Sequence, residues 1–146
     1  MNSYERHICS LKGTSLSSLE KYAEAIRCFD KALEIDPNDT NSWYKKGNAL
    51  FDLGKYEAAI NSYQELLNIN PGDVDAWLRK GALHALLDNH KEAVDCYGLV
   101  LKINSNIAEV WFLKGPLLRL ARSDAQYYLD KAKKLGFSIS SLRKRN

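Results

Sequence analysis

The sequence predicts an all-α protein built from stacked helical hairpins, because it repeats with a fixed period. Trp43, Trp77 and Trp111 lie 34 residues apart, and a glycine follows each of them by four residues. Downstream of each of the first two of these glycines an alanine and then an aromatic residue keep the same register, and so they do after Gly13. A fixed period of this length is typical of solenoids, in which each unit packs on its neighbours.

Each unit is expected to contain two helices joined by a short turn. The spacing i, i+4, i+7, which marks one face of an α-helix, occurs twice in the second unit, at Trp43, Gly47 and Leu50 and again at Ala59, Tyr63 and Leu66. Gly54 suits a left-handed cap between the two helices. Pro71 ends the second helix, and Asp73 can cap the next one through its carboxylate.

The repeat frame predicts a single array in residues 1–137. Its units are residues 6–39, 40–73, 74–107 and 108–137, followed by a basic capping helix or tail in residues 138–146. The fourth unit diverges most, because Ala125 and Leu129 come two residues early in the frame. Pro116 also interrupts its first helix, where we expect a kink or a late start. Ser138 is expected to cap a short last helix.

Gly47 lies inside a predicted helix, where glycine costs roughly 1 kcal/mol relative to alanine. We expect it to let the first helix of the hairpin approach the second closely. Ala59 would then be its small counterpart, while Trp43 and Tyr63 fill the flanking space. These positions are therefore assigned to packing and not to a ligand.

The composition places the chain among water-soluble helical proteins and gives no sign of a membrane protein. It has 146 residues, of which 45% are hydrophobic, and a formal net charge of +3. No apolar run approaches the length of a membrane span, and the first ten residues, MNSYERHICS, lack the apolar core of a signal peptide. We expect a cytoplasmic protein.

No motif predicts an enzyme, a cofactor or a metal site. The glycines of the repeat are too far apart for a phosphate-binding loop, and the repeat frame brings no Ser, Cys or His constellation together. Cys9, Cys28 and Cys96 have no CxxC spacing and are expected to be buried or half-buried free thiols. His84 replaces a leucine of the repeat and His90 is expected in a turn, and neither has a second ligand at metal-binding spacing.

The repeat resembles that of the tetratricopeptide repeat family, whose unit carries the pattern W-x2-L-G-x2-Y, A-x3-F and P. The second unit matches at Trp43, Gly47, Leu50, Ala59, Tyr63 and Pro71, and the third at Trp77, Gly81, His84, Ala93 and Tyr97. All four units have lysine in place of the leucine that precedes the glycine. The resemblance covers roughly residues 6–135 and implies a right-handed superhelical α-solenoid.

The resemblance also implies that a segment of another protein binds in a groove lined mainly by the first helix of each repeat. Carried over position by position, the candidate partner-binding residues are Asn41, Tyr44, Lys45, Asn48, Asp52, Asp75, Leu78, Arg79, Ala82, Glu109 and Phe112, with Ser10, Thr14 and Ser17 in the first unit. Tyr44, Leu78 and Phe112 form a repeating apolar stripe, and Lys45 and Arg79 repeat beside it. The alternative is that these are ordinary solvated or half-packed helix positions.

One ligand class of the family is not expected. Members that grip the acidic tails of heat-shock chaperones use a carboxylate clamp of Lys, Asn, Asn, Lys and Arg. The two possible frames in this sequence offer Ser10, Thr14, Lys45, Asp75 and Arg79, or Tyr44, Asn48, Arg79, Glu109 and Leu113. Each frame fills one place of the five, and Asp75 or Glu109 would repel the tail carboxylates.

Two other functions stay open at this point. The atypical ends and the divergent fourth unit are also consistent with a structural protein that forms homo-oligomers through the open ends of its solenoid. Six positive charges and no acid in residues 131–146 are consistent with nucleic-acid contact. We favour a solubility and helix-dipole role for these charges, because no nucleic-acid-binding module accompanies them.

Overall fold

The computed structural model describes residues 3–106 and Lys134 as a succession of helical hairpins. Its helices in residues 3–106 are α1 (Ser3–Ser18), α2 (Tyr22–Ile35), α3 (Thr40–Asp52), α4 (Tyr56–Ile69), α5 (Val74–Leu86) and α6 (His90–Ile103). These residues contain no strand. The all-α class and the hairpin repeat are thereby confirmed for the described part of the chain.

The chain divides into two compact regions, residues Met1–Ala76 and residues Trp77–Asn146. In the first compact region α1 packs on α2, α3 packs on α4, and α2 also packs on α3. Its core includes Ala25, Phe29 and Ala49, so that α2 contributes apolar side chains to both of its neighbours. In the second compact region the ring of Tyr97 on α6 lies against Gly81 of α5.

Each hairpin turn contains one residue in the left-handed region, at equivalent places of the repeat. These residues are Glu20, Gly54 and Asp88, with φ of 60°, 84° and 62°. The N–H of Lys55 donates to the carbonyl oxygen of Leu50 at 2.8 Å, which is the six-to-one bond of a Schellman cap. The left-handed cap expected at Gly54 is confirmed, and the other two turns form it without glycine.

Two expectations concerned the first residues of helices, and one of them is confirmed while the other was wrong. Asp73 Oδ1 accepts a hydrogen bond from the backbone N–H of Ala76 at 3.0 Å, as predicted for a capping carboxylate. His90 was expected in a turn but is the first residue of α6. The repeat explains this, because His90 corresponds to Tyr22 and Tyr56, which begin α2 and α4.

The helix-interior glycines each lie against an aromatic ring of the following helix. A methyl group built on glycine would come within 2.7 Å of Phe29 Cε1 at Gly13, 2.6 Å of Tyr63 Cε1 at Gly47 and 2.8 Å of Tyr97 Cε1 at Gly81. The three rings are almost completely buried. The expected close approach is therefore present, but Tyr63 lies directly against Gly47 and does not merely fill the space beside it.

The cysteines are packing residues. Cys9 and Cys28 are half-buried free thiols, and Cys96 is a buried one. Burial raises the pKa of the Cys96 thiol above its ordinary value. Among the residues that the structure describes, no three His, Cys, Asp or Glu side chains lie close enough together to hold a metal ion.

Within residues 3–106 no helix has both the length and the apolar character needed to cross a membrane. Several expectations fall on parts of the chain outside the described residues. These are the kink at Pro116, the fourth unit as a whole, the cap at Ser138, and the site residues Glu109 and Phe112. They stay predictions, as do the four-unit division and the superhelical arrangement.

Candidate partner-binding site

Five candidate residues lie on one face of α3 because of their spacing. Asn41, Tyr44, Lys45, Asn48 and Asp52 occur at i, i+3, i+4, i+7 and i+11 of a single helix. Asn41 and Asp52 are exposed, whereas Tyr44, Lys45 and Asn48 are half-buried. We call this set the α3 face. Helical geometry places these side chains together, and contacts with other helices fix how each of them is held.

Tyr63 of α4 connects the α3 face to the core. Its ring lies against Gly47, and its hydroxyl donates a hydrogen bond to the side-chain oxygen of Asn48. The ring of Tyr44 contacts the same tyrosine, with centroids 6.1 Å apart and planes tilted by 59°. Tilted pairs of this kind are favourable for aromatic rings. Tyr44 and Asn48 are therefore held in place by a buried residue, and packing does not leave them free.

Lys45 reaches across to α1. Its ammonium donates to the Thr14 hydroxyl oxygen at 2.8 Å, and that hydroxyl donates to the Ser10 carbonyl at 2.9 Å. This contact joins the α3 face to the first-unit residues that the sequence assigned to the same groove. An ammonium has three donors, so Lys45 keeps hydrogen-bonding capacity beyond this one bond.

A partly buried ion pair connects α1 to the residue before α3. Arg6 Nη1 lies 2.8 Å from Asp39 Oδ2, and the Ser42 hydroxyl donates to the same oxygen at 2.6 Å. Burial raises the pKa of Asp39, but the hydrogen bond from Ser42 and the Arg6 guanidinium outweigh it, so the pKa lies below its ordinary value. Asp39 is therefore a buried carboxylate that needs both partners.

The lysines that depart from the family pattern contact the repeat tryptophans. The ammonium of Lys46 lies 5.3 Å from the centroid of the Trp43 ring, and Lys80 stands at the same distance from Trp77. A cation at this distance from a tryptophan ring is attracted by its electrons. Lys46 also pairs with Asp30 at 2.7 Å. The lysines at these positions therefore have a structural role, and they are not part of the α3 face.

A pocket of about 250 Å³ opens beside the N-terminal end of α3. Its lining residues are Thr40, Asn41, Tyr44, Leu66, Asp73 and Asp75. Sequence reasoning identified Asn41, Tyr44 and Asp75 as site residues. It missed Thr40, and it also missed Leu66 and Asp73, which it assigned to packing and to helix capping. The role of a residue within its own helix does not reveal which residues of other helices it faces.

The remaining candidate site residues that the structure describes lie on the part of α5 that belongs to the second compact region. Leu78 is half-buried, while Arg79 and Ala82 are exposed. Leu78 and Ala82 are one helical turn apart and share a face. Nearby, burial and Lys80 lower the pKa of His84 below its ordinary value. The uncharged form of this imidazole is therefore favoured, and it adds no cation to the helix.

Comparisons with known proteins agree with this geometry. TPR repeat models match residues 13–54 and 47–88, and a tetratricopeptide repeat model matches residues 74–107. No curated protein matches the chain closely enough to count as a relative.

Solved structures with the same fold include two of MamA and one of a TPR domain bound to a peptide. A crystal structure of MamA superposes with a TM-score of 0.81 at 19% identity, covering 97% of this chain and 81% of that one. The first TPR of Spaghetti (RPAP3), bound to the HSP90 peptide SRMEEVD, gives 0.74 at 25% identity, covering 84% of this chain and 98% of that one. MamA from Desulfovibrio magneticus RS-1, residues 41 to the end, gives 0.75 at 17% identity over 99% and 78%. With repeat models matching from residue 13 to residue 107, the chain belongs to the tetratricopeptide repeat family.

Proposed function

We propose that this protein is an interaction module that binds an extended or helical segment of a partner protein on the first helices of its repeats. Tetratricopeptide repeat domains are generally protein–protein interaction modules. The single observation that carries the proposal for this chain is the α3 face, where Tyr44 stands between an open pocket and the buried Tyr63 ring. Aromatic side chains contribute a large share of the energy of protein interfaces.

The contacts of the α3 face favour binding because they reduce its entropic cost. Tyr44 and Asn48 are already held by Tyr63, and Lys45 is held by Thr14. Immobilising a side chain on binding costs about 0.5 to 1.5 kcal/mol, and a preformed surface avoids part of that cost. Asn41 at the pocket rim stays exposed and can hydrogen-bond to a partner backbone.

The proposal does not include the chaperone-tail clamp, although a structure of similar fold is bound to an HSP90 peptide. In the first frame Arg79 is the residue that fits the clamp, whereas Lys45 stands where the clamp would have asparagine and its ammonium is bonded to Thr14. Asp75 stands where the clamp would have lysine, and it lines the pocket together with Asp73. Two carboxylates there would repel an acidic tail, so we expect a partner segment of another kind.

Two further parts of the proposal follow from the family and the sequence. The family is typically non-catalytic, and we assign this chain a binding role without enzymatic activity or a cofactor. A cytoplasmic location is also part of the proposal.

Affinity capture from the source lysate tests the groove. The combined substitutions Tyr44→Ala and Arg79→Glu are expected to abolish capture of the proteins that the unaltered chain retains, because they remove an aromatic anchor and reverse a cation on the proposed surface. The solution mass, measured by light scattering, should not change. The matched control combines Tyr56→Ala with Lys91→Glu, one tyrosine and one cation that are not among the proposed partner-binding residues, and should capture normally. Equal capture by the groove variant would contradict the proposal.

Self-association is the second candidate, and the surface of α1 favours it. Tyr4, Ile8 and Leu11 lie at i, i+4 and i+7 and are 70%, 47% and 52% exposed. A pocket of about 400 Å³ beside them includes Ile8 and Ile35. In α3 the place of Ile8 is held by Ser42, which is fully buried. A solution mass above that of one chain would favour this candidate over a monomeric module.

A further inference from the structure

We propose that two copies of this chain pair through the exposed apolar stripe of α1, with their α1 helices antiparallel about a two-fold axis. We call this stripe, formed by Tyr4, Ile8 and Leu11, the α1 face. The inference rests on self-association, the second candidate function, and specifies its surface and its symmetry. It uses none of the residues of the α3 face, so pairing and partner binding can be tested separately.

The α1 face corresponds to the surface of α3 that the preceding repeat covers. Ile8 and Leu11 are equivalent to Ser42 and Lys45, one period later. Ser42 is fully buried, and α2 packs on α3. The ammonium of Lys45 donates to the Thr14 hydroxyl of α1. In α1 the same two places hold apolar side chains that are 47% and 52% exposed. Contiguous exposed apolar side chains of this kind typically mark an interface.

The size of Ile8 does not suit a further helix seated as α2 is seated on α3. The equivalent residues, Ser42 and Ala76, are small and fully buried, which allows close approach of a neighbouring helix. A branched side chain at such a place would overpack the contact, and overpacking is unfavourable. Head-to-tail stacking of solenoid ends would use this seat. We therefore expect a partner that approaches α1 at another angle and leaves room for Ile8.

The α1 face is complementary to itself when the two helices run in opposite directions. Tyr4 and Leu11 lie about one helical turn to either side of Ile8. Reversing one helix about a point beside Ile8 sets Tyr4 of each copy against Leu11 of the other. The two Ile8 side chains then meet near the axis. A two-fold contact of this kind closes on itself and is the commonest arrangement in homo-oligomers.

The pocket beside the α1 face adds apolar surface and two opposite charges. Its volume is about 400 Å³, and its lining includes Ile8, Cys9 and Ile35 together with the exposed side chains of Lys31 and Glu34. The rotation that reverses α1 also reverses α2, so that Lys31 of each copy approaches Glu34 of the other. Opposite charges at the rim of an interface fix its orientation and disfavour other partners.

Sedimentation velocity on the full chain tests the inference. We expect a reversible dimer whose fraction rises with protein concentration, without larger species. Ile8→Ser introduces the residue that α3 has at this place and should weaken the dimer by about tenfold or more, since it removes the central apolar contact. The matched control, Leu19→Ser, shortens a side chain that is 66% exposed beyond the end of α1 and should leave the dissociation constant unchanged.

Three outcomes of the sedimentation experiment would overturn the inference. The first is a single-chain mass at all concentrations up to the millimolar range. The second is a dimer that Ile8→Ser leaves intact, which would keep self-association but place it on another surface. The third is a series of larger species, which would indicate head-to-tail stacking. Circular dichroism of each variant checks that its helices are retained.

A charge exchange tests the symmetry of the contact. Lys31→Glu brings like charges together across the axis and should weaken the dimer by about two- to fivefold. Adding Glu34→Lys to this variant reverses both charges and should restore the original dissociation constant. Added salt should reduce the effect of the single change. A double variant as weak as Lys31→Glu alone would overturn the two-fold arrangement.

Disulfide trapping tests the direction of the helices. Tyr4→Cys and Leu11→Cys are each combined with Cys9→Ser, and the chain with Cys9→Ser alone gives the background. On mild oxidation of a mixture, the species that joins the two variants should form several times faster than either symmetric species. Faster trapping of the symmetric species would indicate parallel helices and overturn the inference.

Affinity capture combined with solution mass separates this inference from partner binding on the α3 face. A single-chain mass, with capture lost in the Tyr44→Ala and Arg79→Glu variant, would overturn the dimer and leave the groove standing. A dimer that Ile8→Ser dissociates, with normal capture by the groove variant, would overturn the groove and leave the dimer standing. We expect the dimer to depend on Ile8 and capture to depend on the groove.

Discussion

Gly47→Ala is expected to destabilise the protein by about 1 to 3 kcal/mol, and Gly47→Leu by more. In an exposed helix interior the alanine substitution would instead stabilise by roughly 1 kcal/mol, because alanine is the better helix former. Here the added methyl group would lie 2.6 Å from Cε1 and 2.8 Å from Cζ of Tyr63, whose side chain is fully buried. The ring cannot move aside without disturbing the core and its contacts with Tyr44 and Asn48.

Urea unfolding followed by circular dichroism measures this effect. Gly72→Ala is the control, since a methyl group there meets only Asn70 Oδ1 at 3.7 Å, and it should change the free energy of unfolding by less than about 0.5 kcal/mol. Combining Gly47→Ala with Tyr63→Leu should cost less than the sum of the two single changes, because the ring that clashes is gone. A Gly47→Ala variant as stable as the unaltered chain would show that the ring does not constrain the glycine.

Asp39→Ala is expected to cost about 2 to 3 kcal/mol near neutral pH. The substitution removes a carboxylate that is only 9% exposed and leaves Arg6 and Ser42 without their common acceptor. Hydrogen bonds to charged groups contribute roughly 1.5 to 3 kcal/mol each, and part of the Arg6 interaction is screened because that side chain is 27% exposed. Glu65→Ala removes an exposed charge from the middle of α4 and serves as the control.

The effect of Asp39→Ala should depend on pH in a defined direction. The pKa of Asp39 is lowered in the folded protein, so its stabilising contribution is complete above the ordinary carboxyl value of 3.8 and is lost as the pH falls through the lowered pKa. The difference in melting temperature between the variant and the unaltered chain should therefore be constant above that value and shrink in stronger acid. A difference that grows as the pH falls would contradict the ion pair.

The 34-residue period was enough to predict the hairpins, because they depend on spacing along the chain. The residues of the α3 face were expected from the resemblance to the tetratricopeptide repeat family, and the period alone did not select them. The left-handed cap at Gly54 and the carboxylate cap at Asp73 were predictable because each involves neighbours in sequence. His90 was wrongly assigned to a turn, because the start of α6 at this residue becomes clear only when the three hairpin turns are compared.

The contacts between helices could not be predicted from the sequence. The period does not reveal that the Lys45 ammonium is bonded to Thr14, or that the Tyr63 hydroxyl reaches Asn48. Both depend on the rotamers of side chains and on distances between helices. Only half of the residues that line the pocket beside the N-terminal end of α3 were predictable: Thr40 was not identified, and Leu66 and Asp73 already had structural assignments within their own repeat.

Photo-crosslinking from the α3 face tests most directly whether this surface binds a partner. Benzoylphenylalanine in place of Asn41, which is exposed and lines the pocket beside the N-terminal end of α3, should form a covalent adduct with a partner protein in source lysate. The same group in place of Glu57, exposed on α4 and outside the pocket, should not form that adduct, and Tyr44→Ala should abolish the adduct formed at position 41. No adduct at position 41, or equal yields at positions 41 and 57, would contradict binding at the α3 face.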